Sequence, residues 1–390
     1  MKVLIPGIDG YLGWTLAQHL THRGHEVIGI DNFSRRRNVA EMGSWSAIPI
    51  KTMDERLSAF EELFKKKIEF YPGDLMDYHF VEGIMKRHKP DGIVHLGEQP
   101  SAPFSMIDVG HATDTQTNNV VGTLNLLFAM HNASPKTHLV KLGTMGEYGA
   151  PDMVIPEGFF DIEYRGRKDT LPFPRQPPSY YHLSKVHDSA NIMFACKVWG
   201  LSSTNIMQGV VYGTRADKMD DPRLATRFDF DEAFGTAVNR YCAQAVIGHK
   251  MTPFGLGEQK RGFIALRDSM QCLTLALENP QVGPGYRVFN QFDEVYNVTQ
   301  LAEEVAKAAK KLGIDAEVGK IENPRVEAEK HYYNPDSKKL RKLGFKPTKT
   351  LPEELNIMLT DLLRHRNRIE AKRDRIDPRI YWRTGYEQKD

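Results

Sequence analysis

Short, mostly apolar runs recur through the first half of the chain, at residues 3–6, 26–31, 68–71, 92–96 and 138–142. They lack the strict alternation of a half-exposed strand, which suits strands buried on both faces of a parallel sheet. Between them, residues 11–21, 80–87 and 119–131 carry apolar positions at helical spacing and are long enough for crossover helices. Strand, helix, strand in this order predicts an α/β architecture built on a doubly wound parallel sheet. Two connections exceed what a crossover needs, 33–67 and 151–178; the second is rich in Pro and Gly and is expected to be a lid. After Gly213 the alternation loosens into helical patterns at 232–248, 268–278, 298–312 and 351–372, which predicts a smaller C-terminal α+β domain. The expected division is 1–212 and 213–390, with some C-terminal strands or helices returning to the first sheet.

At 390 residues, 41% of them hydrophobic, the chain can bury a large core. Its 52 basic and 50 acidic residues leave a formal charge of +2, so no global field favours nucleic acid or a membrane. Cys196, Cys242 and Cys272 are far apart without metal spacing, which predicts reduced, buried thiols and no metal. The N-terminus enters a strand with no leader pattern, and no apolar stretch could span a bilayer, so the cytoplasm is the expected location. The basic run 364–375 is interleaved with Glu370 and Asp374 at helical spacing and reads as a solvated helix face.

Two motifs carry chemistry. Gly7-Ile8-Asp9-Gly10-Tyr11-Leu12-Gly13 follows the first strand and opens the first helix, so backbone can approach a pyrophosphate at the helix N-terminus. Asp31, at the end of the second strand, can accept the ribose hydroxyls of an adenosine and repel a 2′-phosphate, which favours NAD in a Rossmann-type fold. Arg35 and Arg36 point the other way, since a guanidinium there can greet that phosphate. Asp74, after the third strand, reads either as an adenine contact or as a helix cap. The second motif is Tyr181-His-Leu-Ser-Lys185. Tyr and Lys four apart share a helix face, Ser179 can cap that helix, and a phenol with an ordinary pKa near ~10 needs a cation beside it to act as a base.

Together with Asn119-Val-Val-Gly-Thr123, Val210-Val-Tyr-Gly213 and Arg261-Gly-Phe-Ile264, these motifs resemble the extended short-chain dehydrogenase/reductase family over nearly the whole chain. The resemblance implies Tyr181 as base on a sugar hydroxyl, Lys185 orienting the nicotinamide ribose and lowering the Tyr pKa, and Thr144 binding the same hydroxyl. It extends the cofactor set of Gly7, Gly10, Tyr11, Leu12, Gly13, Asp31, Arg35, Asp74 and Lys185 to Asn32, Leu75, Leu96 and Asn118. Relatives dimerise through the Asn119 and Tyr181 helices, which implies a homodimer or higher homo-oligomer.

More specific segments are His95-Leu-Gly-Glu-Gln99, residues 101–108, Leu142-Gly-Thr-Met-Gly-Glu-Tyr-Gly149, residues 181–189 and Asn323-Pro-Arg-Val-Glu-Ala-Glu329. They resemble the branch of the family that makes a sulfonated sugar nucleotide from UDP-glucose and sulfite, or a sulfite-delivering protein, recycling bound NAD in each turnover. In related hexose dehydratases an Asp-Glu pair follows the catalytic Thr and eliminates water between C5 and C6. Met145 and Gly146 stand there in this chain and cannot shuttle protons. Glu147 and His182 are the candidates for that work, or for holding the sulfur anion; the alternatives are a structural carboxylate and a polar helix residue. Arg325 and Arg261 are expected on the pyrophosphate, Gln208 on phosphate or uridine, and Gln99 on the substrate, against surface or buried structural roles. The chain departs from the pattern at Pro100, where that branch has Arg after Glu-Gln. Rival readings are a UDP-sugar 4-epimerase or 4,6-dehydratase, and a non-catalytic NAD-binding regulator.

Overall fold

In β1 (Lys2–Pro6) the side chains of Val3, Leu4 and Ile5 are all fully buried, and they alternate between two cores. The computed structural model describes residues 1–216, 220–328 and 332–386. After β1 come α1 (Tyr11–His22), β2 (Glu26–Asp31), α2 (Ser34–Glu41), α3 (Met53–Phe64), β3 (Ile68–Pro72), α4 (Tyr78–His88), β4 (Gly92–His95), α5 (Val109–Gln116) and α6 (Gly122–Ala133). Then follow β5 (His138–Thr144), the hairpin β6 (Phe159–Tyr164) and β7 (Arg167–Pro172), α7 (Tyr180–Trp199), β8 (Ser202–Gln208) and β9 (Val210–Tyr212). The C-terminal part adds α8 (Ala237–Val246), β10 (Lys260–Ala265), α9 (Leu266–Glu278), β11 (Gly285–Gln291), β12 (Glu294–Asn297), α10 (Val298–Lys311), α11 (Lys338–Lys342) and α12 (Leu351–Leu363).

Seven strands make one sheet in the order β11-β8-β5-β4-β1-β2-β3, with every neighbouring pair parallel. Val3 and Ile5 face the core shared with α1, α3 and α9, while Leu4 faces the core shared with α4, α6 and α7. The sheet is thus covered on both sides, as its continuous apolar strands require. Strand order reverses about β1, which opens a crevice at the carboxyl ends of β1 and β4. β11 comes from the C-terminal half and pairs in register with β8, Gly285 opposite Ser202 through Gln291 opposite Gln208. β9 joins β10 and β12 in a three-stranded sheet, β12-β10-β9, and α8, α10 and α12 build a second core, whereas α9 and α11 pack on the first.

Three expectations are corrected. The pattern at 119–131 is a longer helical stretch, α5 and α6, joined by a π-helical turn at Thr117–Val121. That turn buries Asn119, whose Nδ2 donates to the Gln99 carbonyl and to Ser184 Oγ, while its Oδ1 accepts from the Gln99 N–H. The helix expected at 232–248 begins only at Ala237, because Asp231 Oδ1 accepts the N–H groups of Ala233 and Phe234 and holds a loop there. The 151–178 segment does not cover the crevice as a lid. It forms the β6–β7 hairpin, whose second strand is exposed throughout, and among residues 149–178 only Gly149, Ala150, Gln176 and Pro178 border the cavity.

Candidate active site

The crevice deepens into a cavity of about 640 Å3 between the large sheet and the C-terminal part. Its cofactor end is built by the first turn of α1. Gly7 holds a φ of 85°, and a side chain at Gly13 would stand 2.1 Å from the Gly7 carbonyl, so loop and helix touch backbone to backbone. Gly10 is the N-cap and no side chain caps the helix, which leaves its first turn fit for a phosphate group. Asp31 accepts the Asp9 and Phe33 N–H groups on its two oxygens, and burial with the neighbouring Asp9 carboxylate pushes it up to about 6. Asp74 accepts from Asn32 Nδ2 at 2.8 Å and from the Met76 N–H at 2.9 Å, while the cap of α4 is Asp77. Tyr11, Leu12, Leu75, Leu96 and Asn118 line the same end. Both arginines are paired with carboxylates, although Arg35 also lines the cavity and its Nη1 has no hydrogen-bond partner among the described residues. Arg35 donates to Asp229 at 2.9 Å, and Arg36 forms a fork on Asp9 at 2.7 and 2.8 Å. These residues fit NAD.

At the reaction end, α7 brings Tyr181, His182 and Lys185 to one wall opposite Thr144 at the end of β5. Ser179 caps α7, accepting the His182 N–H, and the same hydroxyl is hydrogen-bonded to His182 Nδ1 at 2.8 Å. The imidazole therefore lies with its Nε2 edge over Gly146, where an added Cβ would stand 2.3 Å from Nε2. Burial and the nearby Arg325 and Arg261 push His182 down to about 3, so the ring is neutral at physiological pH. The expected lowering of the Tyr181 pKa by Lys185 is not what the protein alone provides. Burial, Glu98 and Glu147 push that phenol up, and Lys185 Nζ is 5.8 Å from the ring centre, held by Glu98 and by the Leu142 carbonyl.

Two expected residues do not line the cavity. Glu147 is fully buried beneath β5, accepting from Ser189 Oγ at 2.7 Å and from the Thr144 N–H, with Arg175 at 3.8 Å. Gln99 spends its amide on the Ser101 backbone and on Thr115 Oγ1 at 2.8 Å. Both carboxyl and amide groups are satisfied internally and face away from a ligand. The C-terminal wall supplies Arg325, whose guanidinium sits over Phe254 and Trp382 at 5.4 and 5.5 Å, and Arg261, paired with Glu327, while the end of β8 supplies Gln208, which accepts from Ser269 Oγ at 3.4 Å. Pro100 lines the cavity as well. Glu329, the last residue of the 323–329 segment, lies outside the described residues.

The model of the NAD dependent epimerase/dehydratase family matches residues 3–291. The chain belongs to this family. Over 98% of its length it is 50% identical to the UDP-sulfoquinovose synthase of Sulfolobus acidocaldarius, 98% of which is covered. It is 46% identical to the chloroplastic UDP-sulfoquinovose synthase of Spinacia oleracea over 98% of the chain and 79% of that relative. Among solved structures, the UDP-glucose 4-epimerase of Thermotoga maritima with UDP-glucose superposes with a TM-score of 0.68 at 22% identity, covering 92% of this chain and 98% of that one. The UDP-glucuronic acid 4-epimerase of Bacillus cereus in complex with UDP-glucuronic acid and NAD gives 0.68 at 20% identity, over 93% and 99%. These likenesses show the same fold.

The cavity of this family member also contains residues that sequence reasoning passed over. Glu98, inside the segment His95-Leu-Gly-Glu-Gln99, lines it and binds Lys185. Arg240, on α8, is 5% exposed and lines the cavity, with Nε and Nη2 lacking a hydrogen-bond partner among the described residues. A signal for Arg240 existed in the arginine within the apolar helix 237–246. Glu98 gave none, because its partners Lys141 and Lys185 lie 43 and 87 residues away. Among the described residues, no helix is long and apolar enough to cross a membrane, and no group of His, Cys, Asp or Glu could hold a metal ion.

Proposed function

We propose that the protein converts UDP-glucose and sulfite to UDP-sulfoquinovose, as a UDP-sulfoquinovose synthase. The observation that carries this reading is the wall of Thr144, Tyr181 and Lys185 with the neutral His182 over Gly146, at the place where a hexose dehydratase carries its acid and base. Bound NAD supplies the hydride acceptor for oxidation at C4 and the donor for its later reduction. Tyr181 takes the C4 hydroxyl proton, Thr144 holds that oxygen, and Lys185 orients the ribose and neutralises charge at the phenol. The 4-keto group acidifies the C5 hydrogen; the C5 proton and C6 hydroxyl leave as water. Sulfite adds at C6, a proton returns to C5, and Tyr181 gives its proton back to the C4 oxygen. His182 Nε2 is the group we assign to C6, as hydrogen-bond partner of the departing hydroxyl and then of the sulfur anion.

Residues 1–212 with β11 hold the cofactor in this reading, and 213–390 otherwise serve the sugar nucleotide. Arg325 and Arg261 meet the diphosphate and Gln208 contacts phosphate or uridine. Phe128 on α6 and Phe194 and Val198 on α7 stand exposed, an apolar face that supports a homodimer through these helices. Three buried free thiols, Cys196, Cys242 and Cys272, fit a reducing cytoplasm. Mass spectrometry of the nucleotide sugar tests the function, with purified protein, UDP-glucose and sub-stoichiometric added NAD, with and without sulfite. A sulfonated product that forms only with sulfite is expected; UDP-galactose or a lasting 4-keto-6-deoxy sugar without sulfonate overturns the reading in favour of an epimerase or dehydratase.

A further inference from the structure

Four charged side chains are buried together behind the reaction end of the cavity. Glu98 follows β4, Lys141 lies on β5, and Lys185 and Asp188 stand one turn apart on α7; none of these side chains is more than 4% exposed. One Glu98 oxygen accepts from Lys141 and the other from Lys185. Lys141 also donates to Asp188 Oδ2 at 2.9 Å, and Lys185 to the Leu142 carbonyl at 2.8 Å. Two ammonium groups this dry repel one another unless an anion stands between them. A buried ion cluster is a weak stabilising device compared with apolar packing of the same volume, and this one reaches the cavity, which Glu98 and Lys185 both line.

We propose that Glu98 is a positioning residue for the C4 redox step: its carboxylate holds the Lys185 ammonium at the cavity wall and, balanced by Lys141, sets the charge that the Tyr181 hydroxyl experiences. This deepens the sugar-nucleotide reading above and rests on it. The groups that act on Tyr181 are Glu98 after β4, Lys141 and Thr144 from β5, Glu147 through space from the turn after β5, and His182 and Lys185 from its own helix. Burial, Glu98 and Glu147 raise the phenol, whereas Lys141 and the Thr144 hydrogen bond lower it. Against burial, Lys141 and Lys185 hold Glu98 well below the usual carboxylate range. Burial lifts Asp188 well above its ordinary value, opposed by Lys141 and assisted by Glu98. His95, 4.0 Å from Glu98, is pushed down to about 3 by burial and Lys141, so its ring is neutral. The proton that Tyr181 takes from the C4 hydroxyl as hydride leaves returns to that oxygen as hydride comes back, so the cluster tunes the transfer without gaining or losing a proton.

The test follows the near-ultraviolet absorbance of reduced nicotinamide when UDP-glucose is mixed, without sulfite, with the full NAD-loaded protein across a pH series. Removing the anion should move the midpoint of the rate profile of Glu98→Gln to lower pH by about one unit, and removing the balancing cation should move that of Lys141→Met upward by a similar amount. Glu98→Asp, which keeps the charge on a shorter arm, should restore the parental midpoint at a reduced rate. A uniformly slower Glu98→Gln with an unmoved midpoint overturns the proposal, because a merely structural loss does not shift titration. If Glu98→Gln does not fold by circular dichroism, the direction of the Lys141→Met shift decides, and no shift overturns it. A parental protein that forms no reduced cofactor at any pH sinks the C4-redox reading itself, which is a different failure from an unmoved midpoint in an active parent.

Discussion

Gly146 shows how one missing side chain places another. With no Cβ there, the His182 ring settles over the backbone while Ser179 holds Nδ1, so a glycine on β5's turn and a cap on α7 jointly aim Nε2. Gly146→Ala should drive the ring from this place and lower sulfonate formation at least about tenfold, roughly 1.4 kcal/mol of lost transition-state stabilisation. Reduced-cofactor formation from UDP-glucose alone, which the proposed function assigns to Thr144, Tyr181 and Lys185, should change much less; comparing the two rates checks the assignment, and equal losses in both contradict it. Asp31 supplies a second prediction. Its carboxyl is raised to about 6 by burial and Asp9, so it is ionised at neutral pH and becomes protonated as pH falls through 6. A protonated carboxyl accepts ribose hydroxyls poorly, so the Kd for NAD should rise as pH drops from 7 to 5 with a midpoint near 6, and Asp31→Asn should flatten that dependence in calorimetric titration. The sign for folding is the reverse: a carboxyl whose folded pKa is raised favours the fold at low pH and loses that contribution as pH climbs past its unfolded value toward 6.

At the scale of elements, what was legible in the sequence was local. The glycine loop, Asp31, the Ser179 cap and the Tyr181–Lys185 spacing are each set within a few residues, and backbone geometry alone dictates their meaning. The π-helical turn at Thr117–Val121 was not legible, because nothing in its periodicity shows that Asn119 is needed to tie Gln99 to α7. The charge cluster around Glu98 was hidden for the same reason, its members meeting only after β4, β5 and α7 assemble. For Glu147 the sequence left a chemical and a structural role open, because only the assembled fold shows its oxygens accepting from Ser189 and the Thr144 N–H. Ser179→Ala removes both the helix cap and the Nδ1 partner. It should destabilise the protein by about 1 kcal/mol in urea unfolding and also slow the sulfite-dependent step; a stability loss with unchanged turnover would leave Ser179 as a cap alone.

Across the whole molecule, the cavity is bordered at its cofactor end by a pair that joins α2 to the loop before α8. Arg35, from the long 33–67 segment, donates to Asp229 in the loop before α8 and lies 3.9 Å from the Phe234 ring centre. Asp229 also receives Arg227 at 3.0 Å, and its side chain is 3% exposed. The first turn of α2, four residues beyond the end of β2, is enough to carry this arginine to Asp229. Arg227 and Asp229 keep each other when Arg35 is lost, so Arg35→Met should leave the folded state nearly as stable while loosening this end, with NAD dissociation faster by about tenfold or more. Asp229→Asn instead strands two buried guanidinium groups, and removal of one partner from such a buried set destabilises by about 3–5 kcal/mol. Thermal unfolding and stopped-flow release of NAD therefore separate the two: a large Tm loss in Asp229→Asn with a small one in Arg35→Met, and faster release in the latter, identifies the pair as the clasp on the cofactor. Unchanged release in a stable Arg35→Met protein shows that the 33–67 segment holds the two halves together without restraining NAD.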